Sequence, residues 1–569
     1  MNIIRVSVDS AGNQGNQRGI SYASPSISAN GRFVAFHSNA SNLVPGDTNN
    51  RNDIFVRDTL ANTTTRISVG SAGNQANIGF LNPSISTDGR FVAFESHISN
   101  LVLGDRNISS GIFMRDTLTS TTTRVSVDSA DNQADNGRYE RSISPSISAD
   151  GRFVAFESNV SNLVPGDTND NPDIFVRDTL TSTTVRVSVD SAGNQANNAS
   201  VPQGRLSASG SSSPSMSADG RFVAFDSYST NLVPGDTNNR NDIFVRDTLT
   251  NTTTHVSVDS EGNQALDSSS SPSISASGRF VAFHSNASNL VPGDTNNRND
   301  IFVRDTLTNT TTRVSVDSAG NQANSYSYDP SISSDGRFVA FLSSASNLVQ
   351  GDTNNANDIF VRDTLTNITT RVSIDAAGNQ GTNDSFHASI SADGRKVAFE
   401  SDASNLVAGD TNNTRDVFVS DIGNTPGNNP PDNNINGTNG NDILTGTNGN
   451  DIINGLRGND IFTGGGGNDN LSGGKGFDTL NGGLGSDILV GGAGNDVFVL
   501  GAGLGVDTIS DFANGQDTLQ LINGLNFRQL SILPATDGTL IRLASGGEVL
   551  ASLTGVALNL IGSEDFISV

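Results

Sequence analysis

Apolar residues in the first three quarters of the chain come in short alternating bursts, separated by polar connections. Four bursts make one unit, for example SPSIS (271–275), RFVAFHS (279–285), DIFVRD (300–305) and TTRVSVD (311–317). Their β-branched and aromatic residues suit strands, and Ser-Gly or Asp-Gly before the Arg supplies a tight turn. The string GRFVAF starts at Gly31, Gly89, Gly151, Gly220, Gly278 and Gly336, and GRKVAF follows at Gly394, at intervals of 58, 62, 69, 58, 58 and 58 residues. An Asp stands 16 residues after each Gly, at Asp47, Asp105, Asp167, Asp236, Asp294, Asp352 and Asp410. One such unit cannot bury its own faces, but seven around an axis can. The expectation is an all-β chain that opens with a seven-bladed β-propeller over residues 1–421.

The seventh unit supplies ASIS, KVAFES and DVFVSD, then stops near Ile422 without a fourth strand. IIRVSVDSAGNQ (3–14) matches RVSVDSAGNQ (313–322). The N-terminal strand should therefore pair into the last blade and close the ring, leaving no open sheet edge. These units resemble the TolB-like propeller repeat, with its P-x-x-S-x-D-G-[RK]-x-[VI]-A-F core. The resemblance covers about residues 1–421 and implies the fold, since propellers serve as enzymes, receptors and scaffolds alike. The 58-residue period and Ala388 in place of Pro depart from it.

In an up-and-down blade the DG turn and the DTLTNTTT turn share one face. The long NASNLVPGDTNNRND connection and the variable DSAGNQ connection share the other. Extra residues around Arg138–Arg141 and Val201–Ser211 lengthen the variable connection. Binding concentrates in such loops, although tolerated polar insertions look the same. The residues after each AF are His37, Glu95, Glu157, Asp226, His284, Leu342 and Glu400. They form a ring near the variable face, either lining a ligand mouth or simply solvated.

The long connection GDTNNRNDIF places Asp47, Asn49 and Asp53 at positions 1, 3 and 7, and Asp294, Asn296 and Asp300 repeat the trio. The second unit has Gly111 in third place. Alternating oxygen donors suit calcium, and the spacing is similar to an EF-hand loop. Yet Asp58, its twelfth position, is carried about 13 Å away by four strand residues. The alternative is an Asx-turn in which Asp and Asn bond their own backbone.

Residues 422–436 are Asn/Gly/Pro-rich and read as a linker. Beyond it the period becomes nine, in seven units from GTNGNDILT (437–445) to GGAGNDVFV (491–499). Every unit keeps an Asp at its sixth residue and an apolar side chain at its eighth: Leu444, Ile453, Phe462, Leu471, Leu480, Leu489 and Phe498. The units match GGxGxDxUx, the calcium β-roll signature. This array resembles RTX proteins, and the resemblance implies a parallel β-roll over 437–499. It also implies calcium ligation by Asp442, Asp451, Asp460, Asp469, Asp478, Asp487 and Asp496. Backbone carbonyls of Gly437, Gly446, Gly455, Gly464, Gly473, Gly482 and Gly491 would join them. Each ion would lie between repeats i and i+2, pairing Asp442 with Asp460 and so on to Asp478 with Asp496, which allows about five ions. Such loops fold on millimolar calcium outside the cell. The segment GAGLGVDTISDFANGQDTLQL (501–521) resembles the cap of RTX β-rolls, where Asp507, Asp511 and Asp517 either add ligands or only cap.

Residues 500–569 thus form a β-rich cap. Their end, Glu564-Asp565-Phe566-Ile567-Ser568-Val569, resembles the C-terminal signal of type I secretion. That resemblance implies type I export machinery as a partner, and a secreted or cell-surface protein of a Gram-negative-type bacterium. It agrees with MNIIRVSVDS, which has neither a basic nor an apolar leader region. Lys+Arg is 33 against Asp+Glu 59, a formal charge of −26, so phosphate backbones are repelled and nucleic acid is not expected. With no Cys there is no disulfide or thiolate site. No run of 18 apolar residues suggests a transmembrane segment. No G-x-S-x-G or H-E-x-x-H occurs, and His numbers five. The expectation is a calcium-binding scaffold rather than an enzyme, with a protein or glycan ligand on the variable face. The alternative is a secreted hydrolase or lyase whose site lies on that face.

Overall fold

In this computed structural model the first six repeats each fold as a four-stranded antiparallel sheet with its strands in sequence order. The structure describes residues 2–16, 24–76, 79–97, 100–105, 110–134, 141–169, 171–197, 210–412, 414–422, 434–446, 450–501, 505–522, 525–535, 537–544 and 549–568. The chain divides into two compact units, Met1–Ile422 and Gly423–Val569. The expected linker lies mostly outside the described residues, as do most of the longer stretches around Arg138 and Val201.

The fifth blade is typical, with strands Ser269–Ile274, Phe280–Ser285, Asp300–Asp305 and Thr310–Arg313. Period-2 alternation sends successive side chains to opposite sheet faces, and both faces are covered. Val281, Phe283 and Phe302 pack with Ile243 and Val245 of the fourth blade. Ala282, Ile301 and Val303 pack with Val339 and Phe341 of the sixth. Every core is thus the seam between two blades. Phe283 and Phe302 sit opposite each other at the centre of a seam, ring centroids 5.9 Å apart.

Two closed circuits of hydrogen bonds tie the seven first strands and their turns together. In one, backbone N–H donates to backbone C=O from Ala29 to Thr87, Ala149, Ala218, Ala276, Ser334, Ala392 and back to Ala29. In the other, the backbone N–H of each first strand donates to a Ser hydroxyl of the preceding blade, as Ile332 does to Ser273 and Ile27 does to Ser389. The last blade contains three of its own strands and Asn2–Arg5, which pairs antiparallel with Asp416–Asp421, Ile3 opposite Ser420.

The DSAGNQ segment departs from the sequence expectation. It is not simply part of a variable loop. In each unit it folds back as a small hairpin bridged by Val8 and Gln14 or their equivalents. Asp9 holds the tip by accepting from the backbone N–H groups of Ala11 and Asn13. The hairpin then grips the outer strand of the next blade, where the Thr64 hydroxyl donates to the Val8 carbonyl at 2.6 Å and its N–H donates to Ser10 Oγ. This clasp accounts for the long 58-residue period, and it covers the blade's otherwise open edge.

The second unit is a parallel β-solenoid of about four turns over residues 434–521. Strands 18 residues apart stack in register in two sheets, Leu444 on Phe462 and Ile453 on Leu471. The eighth-position residues Ile453, Phe462, Leu471, Leu480, Leu489 and Phe498 are fully buried between the sheets. Asn434–Asn436, at the end of the stretch read as linker, forms the first strand of one sheet. At the far end, antiparallel strands Leu530–Ala535, Gly538–Leu543 and Val549–Thr554 extend that sheet, and Phe566–Ser568 joins the other beside Leu519–Leu521. Among the described residues no helix is long and apolar enough to cross a membrane.

Candidate metal centre

Stacking the nonapeptides at two repeats per turn places their aspartates in two files. In each step the backbone N–H of one Asp donates to Oδ1 of the Asp one turn on: Asp442 to Asp460, Asp451 to Asp469, Asp460 to Asp478 and Asp469 to Asp487, all at 2.8 Å, and Asp478 to Asp496 at 2.9 Å. The files continue into the cap. Asp487 N–H reaches Asp507 at 3.3 Å and Asp496 N–H reaches Asp517 at 3.0 Å, despite spacings of 20 and 21 residues. Asp511 instead receives the N–H groups of Gly491 and Gly492.

The second carboxylate oxygen is what makes the file chemically unusual. Asp451 through Asp496 are all at most 2 % exposed, while Asp442 at the end is partly open. Oδ2 of Asp460, Asp478, Asp487 and Asp496 is buried and has no hydrogen-bond partner. The first glycine of each repeat leaves room beside it. A Cβ on Gly437 would lie 2.8 Å from Asp442 Oδ2 and 2.9 Å from the Gly455 carbonyl. Gly446, Gly455, Gly464 and Gly473 repeat this convergence, and Gly482 and Gly491 border Asp487 and Asp496. The five cradles from Gly437 to Gly473 therefore combine an anionic oxygen with a carbonyl from two repeats on, the hard oxygen set that calcium takes. The residues present fit that ion.

Burial pushes the Asp478 carboxyl up to about 6, with the Asp496 and Asp460 carboxylates adding to it. Burial likewise raises Asp487 and Asp496, and it pushes Asp507 up to about 8, helped by the charge of Asp487. A dry file of like charges of this kind calls for a cation. A second ladder escaped the sequence reading. Oδ1 of Asn441, Asn450, Asn459 and Asn468 accepts the N–H of Asn459, Asn468, Phe477 and Ser486 respectively. Its signal was the recurrent Asn just before the Asp.

The propeller loops present a different picture. Asp47 and Asp53 do not face an open space. Gln75 Nε2 donates to Asp47 at 2.8 Å, Asn49 donates to Asp53 at 3.1 Å, and Arg66 stands 3.7 Å from Asp47. Around Asp294, Asn296 and Asp300, Gln322 Nε2 donates to both carboxylates at 2.7 and 2.9 Å, Ser315 donates to Asp300, and Arg313 lies 3.6 Å from Asp294. The clasp glutamine and an arginine thus occupy the place the spacing offered to a cation. Among the described residues no group of three His, Asp or Glu side chains is arranged to hold a metal. The ring after each AF is not solvated either. His37, Glu95, Glu157, Asp226, Leu342 and Glu400 are all buried. Burial drives His37 down to about 3 and Glu157 up to about 7.

A parallel solenoid with a carboxylate at every ninth residue defines a metal-binding repeat module. Residues 432–462 and 463–498 match the family model of the RTX calcium-binding nonapeptide repeat in four copies, and the solenoid is built of these repeats. Among curated proteins none matches the chain. Among solved structures, the chain is similar to TolB from Acinetobacter baumannii, at 16% identity over 56% of this chain and 59% of that one, TM-score 0.31. The chain therefore spans less than two thirds of that protein. It is also similar to a putative TolB from Agrobacterium tumefaciens, at 14% identity over 63% and 94%, TM-score 0.33. A third is the β-propeller domain of the Trilobed protease from Pyrococcus furiosus, at 12% identity over 71% and 96%, TM-score 0.39. The seven-bladed ring stands on its own strand pairing.

Proposed function

We propose that this is an extracellular calcium-dependent scaffold, in which the solenoid folds around calcium after export and the propeller presents its long-connection face to a protein or glycan. The observation that supports it most directly is the file of buried Asp Oδ2 atoms, which at Asp460 and Asp478 stand beside a glycine carbonyl from two repeats on. When bound, calcium would neutralise the stacked carboxylates. The chain's own part is to hold Oδ1 by a backbone N–H, aim Oδ2 at the cradle and keep water out with the Phe462–Leu480–Phe498 core. In cytosolic calcium the file would repel itself and the segment would stay open, which suits passage through a type I exporter. Phe566–Ser568, within the C-terminal sequence that resembles an export signal, is a strand in the folded state, so that sequence would be read before folding.

Equilibrium dialysis of the full chain at millimolar calcium tests the reading. The five steps within the repeats give five ions. Asp507 and Asp517, which extend the files by one step each, raise the count to seven if they ligate. No saturable binding would overturn the proposal.

A further inference from the structure

Outside the solenoid, the repeat itself marks out an unusual place. The blades are nearly identical along their second and third strands, but three positions there and just beside them differ widely, and the fold gathers those three at the long-connection end of each blade. In the second blade they are Glu95, His97 and Ser110. Period 2 puts Glu95 and His97 on one face of a strand, and the register sets Ser110 directly across from His97. Sister blades carry other sets, such as Glu400, Asp402 and Arg415 in the seventh, where the arginine pairs with Asp402 at 2.8 and 3.0 Å. Among the seven sets, that of the second blade alone combines a hydroxyl, an imidazole and a carboxylate.

From this juxtaposition we infer that Ser110 is a nucleophile for small carboxylic esters, with His97 as its base and Glu95 as the residue that positions His97. Ser110 Oγ lies 2.6 Å from His97 Nδ1 and 3.2 Å from Glu95 Oε1, and His97 Nε2 lies 3.7 Å from the same carboxylate oxygen. Ser110 and Glu95 are buried, whereas the His97 side chain is half exposed. The imidazole forms part of the wall of an open cleft of about 510 Å³, together with Asn39, Asn52, Arg51 and Gly79. The cleft can seat a small ester against the imidazole, with Ser110 reached through His97 rather than standing in the wall, and Arg51 favours an ester bearing a negative charge.

The step balances with water as the sole co-reactant. Ser110 Oγ bonds to the carbonyl carbon while its proton passes to His97 Nδ1. The ester C–O bond breaks, and the departing alcohol takes that proton. Water then attacks the acyl-serine with His97 again receiving a proton, which returns to Ser110 as the acid leaves. The carboxylate of Glu95 steadies the transient imidazolium through Nε2. Asn82, which donates to Glu95 at 3.3 Å, holds that carboxylate in turn.

The activity is independent of calcium ligation, so its test and that of the solenoid fail separately. The calcium-loaded full chain is treated with a fluorophosphonate probe, and the modified residue is mapped by mass spectrometry, alongside turnover of p-nitrophenyl acetate. Ser110→Asn and His97→Asn are the informative variants, because sister blades fold with Asn at those positions (Asn52, Asn241, Asn299 and Asn357; Asn39, Asn159 and Asn286). Labelling should map to Ser110, vanish in Ser110→Asn and slow by about 100-fold or more in His97→Asn, the usual worth of a general base. Glu95→Gln should slow labelling at Ser110, and Glu95→Asp, the residue the fourth blade carries there as Asp226, should restore it. Absence of label at Ser110 in the unmodified chain, or a rate untouched by His97→Asn, would overturn the inference.

Discussion

Asp478 belongs to two successive steps of one file, which makes Asp478→Asn the most telling single change. Its Oδ1 accepts from Asp460 N–H, its own N–H donates to Asp496, and its buried Oδ2 has no hydrogen-bond partner. Asparagine keeps the Oδ1 acceptor but turns Oδ2 into an N–H donor beside the Gly491 carbonyl. The variant should therefore lose the anionic oxygen of two ion positions and gain a hydrogen bond in the calcium-free state. A site with a dissociation constant of about 0.1–1 mM, held at about 10 mM calcium, stabilises the folded state by roughly 1.4–2.7 kcal/mol. Losing two would remove roughly 3–5 kcal/mol of calcium-dependent stability. For a unit of this length that is a fall of about 6–20 °C in the calcium-loaded Tm. In EDTA the sign reverses, because relieving the like-charge file raises the melting temperature. Circular dichroism melts with and without calcium, paired with dialysis stoichiometry, read both signs. An unchanged ion count together with an unchanged calcium-induced Tm shift would refute the ladder as the binding element.

Other outcomes follow from the propeller. Ile3→Ala, in the strand that closes the ring, should cost about 2–4 kcal/mol, seen as a lower propeller transition by calorimetry; an unchanged transition would mean that the closure contributes nothing. Gln322→Ala removes the amide shared by Asp294 and Asp300, at about 1–3 kcal/mol, and calcium should not restore the loss. Restoration by calcium would return the loop to the candidate ion sites. The Arg32 and Arg152 guanidiniums hold the carboxyls of Asp58 and Asp178 down to about 2. These groups contribute stability above the unfolded carboxylate value of about 4, and that contribution fades as pH falls from about 4 to about 2. A Tm that stays flat across that interval, or falls identically in Arg32→Gln, would contradict the assignment.

The propeller and the solenoid were readable because both are carried by strict periods. A strand of the form RFVAF states its own alternation, and an Asp every nine residues fixes a ladder once two repeats make a turn. The clasp was not readable from Ser7 to Gln14, since its partners, Thr64 and Arg57, belong to the next blade and lie about fifty residues away in sequence. The Asp47–Asn49–Asp53 spacing pointed to a cation for the same reason: nothing nearby in the sequence announces that Gln75 and Arg66 arrive from another element. Burial of the ring was equally hidden, because a Glu or His in an alternating strand ordinarily implies the wet side. The cluster of Glu95, His97 and Ser110 is visible only after the strand register is known. Asp507 and Asp517 broke the period of nine, yet the cap's backbone restores them to the files.

The backbone circuit through Ala29, Thr87, Ala149, Ala218, Ala276, Ser334 and Ala392 has a consequence for traffic along the axis. Seven points joined at the spacing of hydrogen-bonded neighbours, about 5.5 Å, lie on a circle of radius roughly 6 Å before the thickness of the chain is subtracted. Side chains at this waist are all small, so the peptide groups themselves set the bore. Water fits such an opening, and a sugar or a peptide does not. The propeller therefore has a floor and a mouth: a guest bound near the axis enters and leaves by the face of the long connections, where the blades differ from one another.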